Sequence, residues 1–289
     1  MFTIFTIPKA FHGHIGIIQT NAIRSWVLLH PECEVILLGN DEGTAEIALQ
    51  LGIRHISEVE SNEYGTPLIS SIFGIAQDIA SHQLVCYVNA DIILMSDFLK
   101  AVRQVQRRPF LLVGQRWDLD LKKPVDFDKP DWESYLQARV AEQGKLHPST
   151  GIDYFAFPRG LYRNVPPFAV GRGGWDNWLI YQARHLKVPV IDATKAVIAI
   201  HQNHDYAHHP GGKAGVWKGP EIKRNIELMG GIDHGLTLNY ATFLLTPRGI
   251  RRALTLRHLY FRIRAIPMLY SRLRFLNVAA RALLKLIKV

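Results

Sequence analysis

The sequence predicts a mixed α/β fold: a mostly parallel sheet with helices on its faces. Three observations predict it. Apolar runs of strand length alternate several times with segments of helical period along the 289-residue chain. Three of the strand ends are polar, at Thr6 to Lys9, Asn40-Asp41 and Asn89 to Asp91. In such sheets ligands sit beyond the carboxyl ends of the strands. Finally, the run Leu84-Val85-Cys86-Tyr87-Val88 stops at Asn89-Ala90-Asp91 before a second apolar run, Ile92-Ile93-Leu94. A buried strand therefore delivers a carboxylate to its carboxyl end, where an aspartate can meet a divalent cation and the phosphates it carries. A plain polar turn between two strands gives the same pattern.

In chain order, residues 2–8 alternate as a first strand, and a loop with Gly13 follows. Ile18, Ala22, Trp26 and Leu29 recur at helical spacing, so 16–30 is a helix, ended by Pro31. Residues 34–39 are a strand closed by Asn40-Asp41, 44–51 a short helix and 53–56 a short strand. A polar loop reaches Pro67, and a helix covers 68–80. After the strand before Asp91, Ser96 is placed to cap a helix through Arg107. Phe110 to Gly114 is a strand running into 115–118, 118–130 a loop, and 132–143 a helix. Tyr154-Phe155-Ala156-Phe157 is a strand turned by Pro158-Arg159-Gly160. The glycine-rich stretch 171–174 delivers Trp175-Asp176-Asn177-Trp178 to the start of a helix. Strands at 188–191 and 196–200 follow, the second running into His201.

Composition narrows the class. A 48% hydrophobic and 20% charged chain has a real core and is not wholesale disordered. Met1 is followed by a strand-like segment with no basic leader, and no stretch nears ~18 uninterrupted apolar residues, so neither a signal peptide nor a spanning helix is expected. Cys33 and Cys86 adjoin strand patterns and read as buried free thiols in a reducing, cytoplasmic setting. The net charge of +9 is uneven: from His234 to Val289 there is no Asp or Glu, and eleven Lys and Arg lie from Arg248 onward. The rest of the chain holds 23 basic and 25 acidic residues, a net of −2.

The candidate chemistry is spread along the chain. His201, His204, His208 and His209, with His185 nearby, form a histidine-rich region in which imidazoles can join a carboxylate on a transition metal. His201 is best placed, leaving an apolar strand directly. The other three read as hydrogen-bonding loop residues, since Pro210-Gly211-Gly212 follows. No cysteine pair or HExxH spacing supports a pure zinc site. Asp176 opens a helix, where the dipole favours its charge; it is either a general base between two tryptophans or a simple cap. Lys213 and Lys218, with Arg224 nearby, lie in or beside a glycine-rich stretch that can close over phosphate, or else is solvated. Neither a P-loop nor GxGxxG occurs.

These motifs, in this order, resemble the glycosyltransferases of the GT-A fold, the nucleotide-diphospho-sugar transferases, over residues 1–230. Their Asp-x-Asp metal motif is matched by Tyr-Val-Asn-Ala-Asp-Ile-Ile-Leu at 87–94, with Asn89 replacing the first aspartate and Asp91 retained. Gly-Trp-Asp-Asn-Trp at 174–178 is similar to the family's acceptor-side acidic motif. The resemblance implies that Asp91 and His201 hold Mn2+ or Mg2+ and that Asp176 is the catalytic carboxylate. Thr6, Pro8, Asp41 and Asn89 would bind the nucleotide sugar beside Asp91, with Lys213 and Lys218 closing over it. The implied fold is Rossmann-like, with a catalytic domain at 1–233, its nucleotide-sugar half at 1–115 and acceptor half at 116–233. The implied acceptor is a glycan or a lipid-linked one.

Residues 234–289 are set apart as a basic helical tail. In 268–289, Leu269, Leu273, Leu276, Ala280, Leu283, Leu284 and Ile287 recur at three- and four-residue steps, with Arg274, Arg281, Lys285 and Lys288 opposite. Such a helix suits the anionic inner surface of a membrane, or packs its apolar stripe on the domain. No nucleic-acid motif accompanies the charge. Two other functions stay open. A nucleotidyltransferase would carry a glycine-rich basic loop after the first strand, where 8–14 has one glycine. A non-catalytic nucleotide-sugar-binding protein docked to membrane is consistent with Asn89.

Overall fold

Two sheets share the work of positioning the polar strand ends. The structure, a computed structural model, describes residues 1–105, 109–204, 219–270 and Leu273. Its elements in chain order are β1 (Thr3–Thr6), α1 (Gly13–Val27), β2 (Glu34–Leu38), α2 (Thr44–Leu51), β3 (Arg54–Ile56), α3 (Ile69–Ile79), β4 (Leu84–Val88), β5 (Ile92–Ile93) and α4 (Ser96–Gln104). Then come β6 (Leu111–Val113), β7 (Arg116–Leu119), α5 (Trp132–Gln143), β8 (Lys145–Leu146), β9 (Tyr154–Pro158), α6 (Trp175–His185), β10 (Val190–Asp192) and β11 (Ala199–Gln202). The last described are α7 (Pro220–Leu228), β12 (Phe243–Thr246), β13 (Gly249–Arg252) and α8 (Leu256–Leu269).

The nine-stranded sheet has the order β13-β12-β10-β6-β9-β4-β1-β2-β3. Following the pairings across it, every strand but β9 and β13 points the same way. The expected mostly parallel α/β sheet is therefore present. A four-stranded sheet, β5-β11-β7-β8, stands beside it. β5 starts right after Asp91, so the two sheets meet at the carboxyl end of β4.

Side chains alternate along each strand and feed two apolar layers. Phe5, Phe73, Phe155, Phe157 and Trp175 pack on one face of the large sheet with α3 and α6. Ile4, Trp26, Phe98 and Tyr154 pack on the other with α1 and α4. A third cluster, with Ile93, Leu119, Leu136 and Ile200, lies between the small sheet and α5. Trp26 also donates from its indole nitrogen to the Ile92 carbonyl (2.8 Å), which ties α1 to the segment after Asp91.

Several expected boundaries move. α1 starts at Gly13 and stops at Val27: the Leu28 amide still reaches the Arg24 carbonyl, but the Leu29 amide tightens onto Trp26 and ends the helix. Ser96 is not a cap. It is the first helical residue of α4, and its amide and hydroxyl both donate to Glu133 of α5 (2.9 and 2.6 Å). The run 110–118 splits between the two sheets. His201, expected just past its strand, lies inside β11.

The break drawn at residue 233 is not a break in the fold. β12 pairs in parallel with β10, β13 pairs with β12, and Ala265 of α8 is fully buried in the main core. Only the part of the tail from residue 271 on, Leu273 apart, lies outside the described residues, and most of the amphipathic pattern of 268–289 lies there.

Candidate metal centre and its surroundings

Asp91 is placed by its backbone. The buried Gln202 donates to the Asp91 carbonyl from both its amide (3.2 Å) and its side chain (3.1 Å). Gln202 is held in turn by Asn21 of α1, which donates to its side-chain oxygen (2.9 Å), and by the Ile18 carbonyl (2.7 Å). The carboxylate of Asp91 faces two imidazoles: Nε2 of His204 at 3.1 Å and Nε2 of His201 at 3.6 Å. One donor atom from each of Asp91, His201 and His204 falls within 4.8 Å of the others.

The strand register explains His201. In the small sheet it pairs with Ile92 on one side and with Asp118 of β7 on the other. Registered residues on neighbouring strands present side chains to the same face. His201 Nδ1 thus lies 3.2 Å from Asp118 Oδ1, though off the line of a good hydrogen bond. Asp118 also accepts from Arg116 Nε (2.9 Å) and pairs with His147 Nδ1 (2.7 Å). Arg116 spans to Asp153 (3.1 Å), whose carboxylate takes the Asn89 side-chain amide (2.5 Å). The chain of contacts Asn89–Asp153–Arg116–Asp118–His201 runs without a break.

Charge follows this geometry. Burial pushes the Asp91 carboxyl up, but His201, His204 and Lys9 outweigh it and hold it well below the usual carboxylate range. Burial likewise opposes ionised Asp118, and the nearby His201 and His147 imidazoles and the Arg116 charge hold it low. Burial disfavours a charged His201, yet Asp91 and Asp118 raise its pKa on balance. Burial lowers Lys9, which feels Asp91 on one side and Arg172 on the other.

The donor set fits a divalent cation. One carboxylate oxygen of Asp91, Oδ1, is buried with no hydrogen-bond partner among the described residues, an expensive arrangement unless something else meets it. An ionised carboxylate with two imidazoles suits Mn2+ better than Mg2+, which prefers all-oxygen shells. Asp118 and Arg116 supply the outer contacts that fix a ligating histidine.

Asp176 stands at the second position of α6. Gly174 before it adopts φ 107°, a left-handed value, and a Cβ there would come within 3.0 Å of Met229 Sδ, so glycine shapes this turn. Burial pushes the Asp176 carboxyl up to about 6, opposed by the Asn177 amide and reinforced by Asp153. The buried Tyr87 of β4 links the two regions: burial and the nearby Asp91, Asp153 and Asp176 carboxylates all raise its hydroxyl.

The other expected residues are dispersed. Thr6 ends β1, fully buried, with its hydroxyl unpartnered among the described residues. Pro8 is buried in the following loop, and Asp41 is exposed beyond β2, with no hydrogen bond to the metal cluster among the described residues. Asn89 points at Asp153 rather than at the cluster. Lys213 and Lys218 lie outside the described residues. His204 was expected to be an ordinary loop residue and instead lies against Asp91. Its place three residues after His201, in a histidine-dense stretch, was the available signal. Asp118, Arg116 and Asp153 gave no local one. An open cleft of about 590 Å³ borders His204, walled by His14, Asp120, Lys122 and Asn203.

The chain matches no protein-family model and no curated protein. Among solved structures it is similar to glucosyl-3-phosphoglycerate synthase from Mycobacterium tuberculosis in complex with Mn2+, UDP-glucose and phosphoglyceric acid, at 16% identity and a TM-score of 0.48, over 80% of each chain. It is also similar to a mannosyltransferase from Pyrobaculum calidifontis in complex with GDP-mannose and Mn2+, at 16% identity and 0.44, over 72% of this chain and 58% of that one. A third is TarS of S. aureus, at 15% identity and 0.42, over 70% and 58%. Each is a distant likeness.

Proposed function

We propose that this chain is a metal-dependent glycosyltransferase that moves a sugar from a nucleotide-diphospho-sugar to a glycan or lipid-linked acceptor. The observation that carries the reading is the buried Oδ1 of Asp91, unpartnered among the described residues and set with His201 and His204 at the carboxyl end of a parallel strand. A cation held there by Asp91, His201 and His204 neutralises a diphosphate and makes it a better leaving group. Lys9 adds positive charge near Asp91, as a phosphate-bearing donor requires. Thr6 and Asp41, at neighbouring strand ends, are assigned to the nucleoside. Asp176 faces the acceptor. In an inverting reaction its carboxylate takes the proton of the attacking hydroxyl, and a pKa near 6 suits a base working at neutral pH. In a retaining reaction it orients the acceptor instead.

The test is Mn2+ binding by electron paramagnetic resonance, together with release of UDP, GDP or dTDP from a panel of nucleotide sugars. We expect tight Mn2+ binding that is lost in Asp91→Ala and weakened in His204→Ala, and nucleotide release only with metal present. Unchanged Mn2+ affinity in Asp91→Ala overturns the assignment of the centre. Tight donor binding without release in the unaltered protein, across acceptors, replaces the enzyme with a binder.

A further inference from the structure

The helix α8 has two apolar faces, and only one of them is used by the fold. Ala265 is fully buried, and Phe261, Met268 and Leu269 pack against the main core, Phe261 with its ring 5.0 Å from that of Tyr240. Arg262 fixes the same side through the Thr242 carbonyl (3.1 Å). On the opposite side Leu256 is 86% exposed, Leu259 51%, Ile263 58%, Ile266 37% and Tyr270 48%. Steps of three and four residues set these five on one narrow stripe. Single exposed leucines need no explanation, but a continuous stripe along a firmly anchored helix marks an interaction surface.

We propose that this outer face of α8 docks on an anionic membrane surface. Charge selects the partner. Arg257 and Arg264 of the same helix and Arg251 and Arg252 of β13 just before it in sequence are all exposed, and no Asp or Glu occurs anywhere from His234 to Val289. The sequence from 271 to 289 adds five more Lys and Arg. A protein partner would need an equally one-sided acidic rim around an apolar groove. A bilayer with anionic headgroups supplies both features by composition alone, apolar chains beneath and negative charge around. No helix among the described residues is long and apolar enough to cross a membrane, so the mode is attachment at the interface. The proposal is independent of the reaction, because its test needs no turnover.

The experiment is flotation of the full chain with phosphatidylcholine vesicles, with and without phosphatidylglycerol. Expected is flotation that requires phosphatidylglycerol and falls sharply in 1 M salt, where screening acts within about 3 Å. Leu259→Ser with Ile263→Ser is expected to lower partitioning about a hundredfold, by removing two large apolar side chains from the contact. Both residues are solvent-facing, so an unchanged melting temperature is expected. Arg251→Gln and Arg257→Gln are each expected to cost about fivefold, and they keep the proposal testable should the first variant misfold. Equal flotation with both lipid compositions, or none with either, overturns it. So does undiminished flotation of the double serine variant, which places binding in residues 271–289. A dimer in solution that the serine variant disperses assigns the face to a second copy and also overturns it.

Discussion

At the residue scale, Asp176 offers the sharpest separation of function from stability. Its carboxyl is pushed up to about 6 by burial. A group whose pKa rises on folding adds stability at low pH, and that contribution is lost as pH climbs through the folded value. Above pH 6 the folded protein therefore carries the cost of a charged, mostly buried carboxylate. A shift from 3.8 to about 6 corresponds to roughly 3 kcal/mol, less here because the residue keeps some exposure. Asp176→Asn should then raise the melting temperature at pH 7 and leave it unchanged below pH 4. If Asp176 is the base, the same change should lower kcat by about 10² to 10⁴ and remove the limb of the pH–rate profile near pH 6. A variant that is stabler and equally active at pH 7 would remove Asp176 from the reaction. Its position at a helix start after glycines was legible in the sequence. The depth of its burial was not, because the buried Tyr87 beside it comes from a separate element, β4.

At the element scale, the metal centre depends on the register of β7 against β11. That register sets Asp118 opposite His201 and spaces Arg116 two residues earlier on the same face. Asp118→Asn keeps the shape but removes the charge that orients His201. It should lower Mn2+ affinity 10- to 100-fold, the usual size of such an outer-contact effect, read by titration with the same resonance signal. Unaltered affinity would mean that His201 is held by β11 alone. The strand ending in Asp91 and the strand carrying His201 were both visible as apolar runs. Asp118, Arg116 and Asp153 were invisible for a physical reason: their roles arise from pairings between segments up to 83 residues apart, as 118 and 201 show. The Asn89 amide is the same case, since its partner Asp153 lies on the approach to β9, 64 residues on. His204 was hidden differently. Its segment reads as polar, and only the pairing of β11 with β5 brings the imidazole to the carboxylate.

At the scale of the whole molecule, the basic carboxyl-terminal region divides into a part that builds the fold and a part beyond it. Charge alone suggested one tail from residue 234, because acids vanish there. Burial contradicts that division: Leu236, Leu238, Tyr240, Leu245 and Ala253 are each 5% exposed or less. Leu236, Leu238 and Tyr240 close the layer over α6, and Arg184 of α6 donates to the Tyr240 carbonyl (2.5 Å). β12 covers the edge of β10, and β13 covers that of β12. Ending the chain after Asp233 would remove four large buried side chains, each worth about 2 kcal/mol, from a fold whose total margin is about 5–15 kcal/mol. It would also expose β10 as an unpaired edge, a template for aggregation. The chain cut at 233 should therefore lose its near-ultraviolet circular dichroism and its cooperative melt, and aggregate on concentration. A chain ending after Tyr270 keeps every one of those contacts and should melt cooperatively. If instead the shorter chain melts as sharply as the full one, the sheet ends at β10 in solution, and the separate tail read from charge alone would be restored.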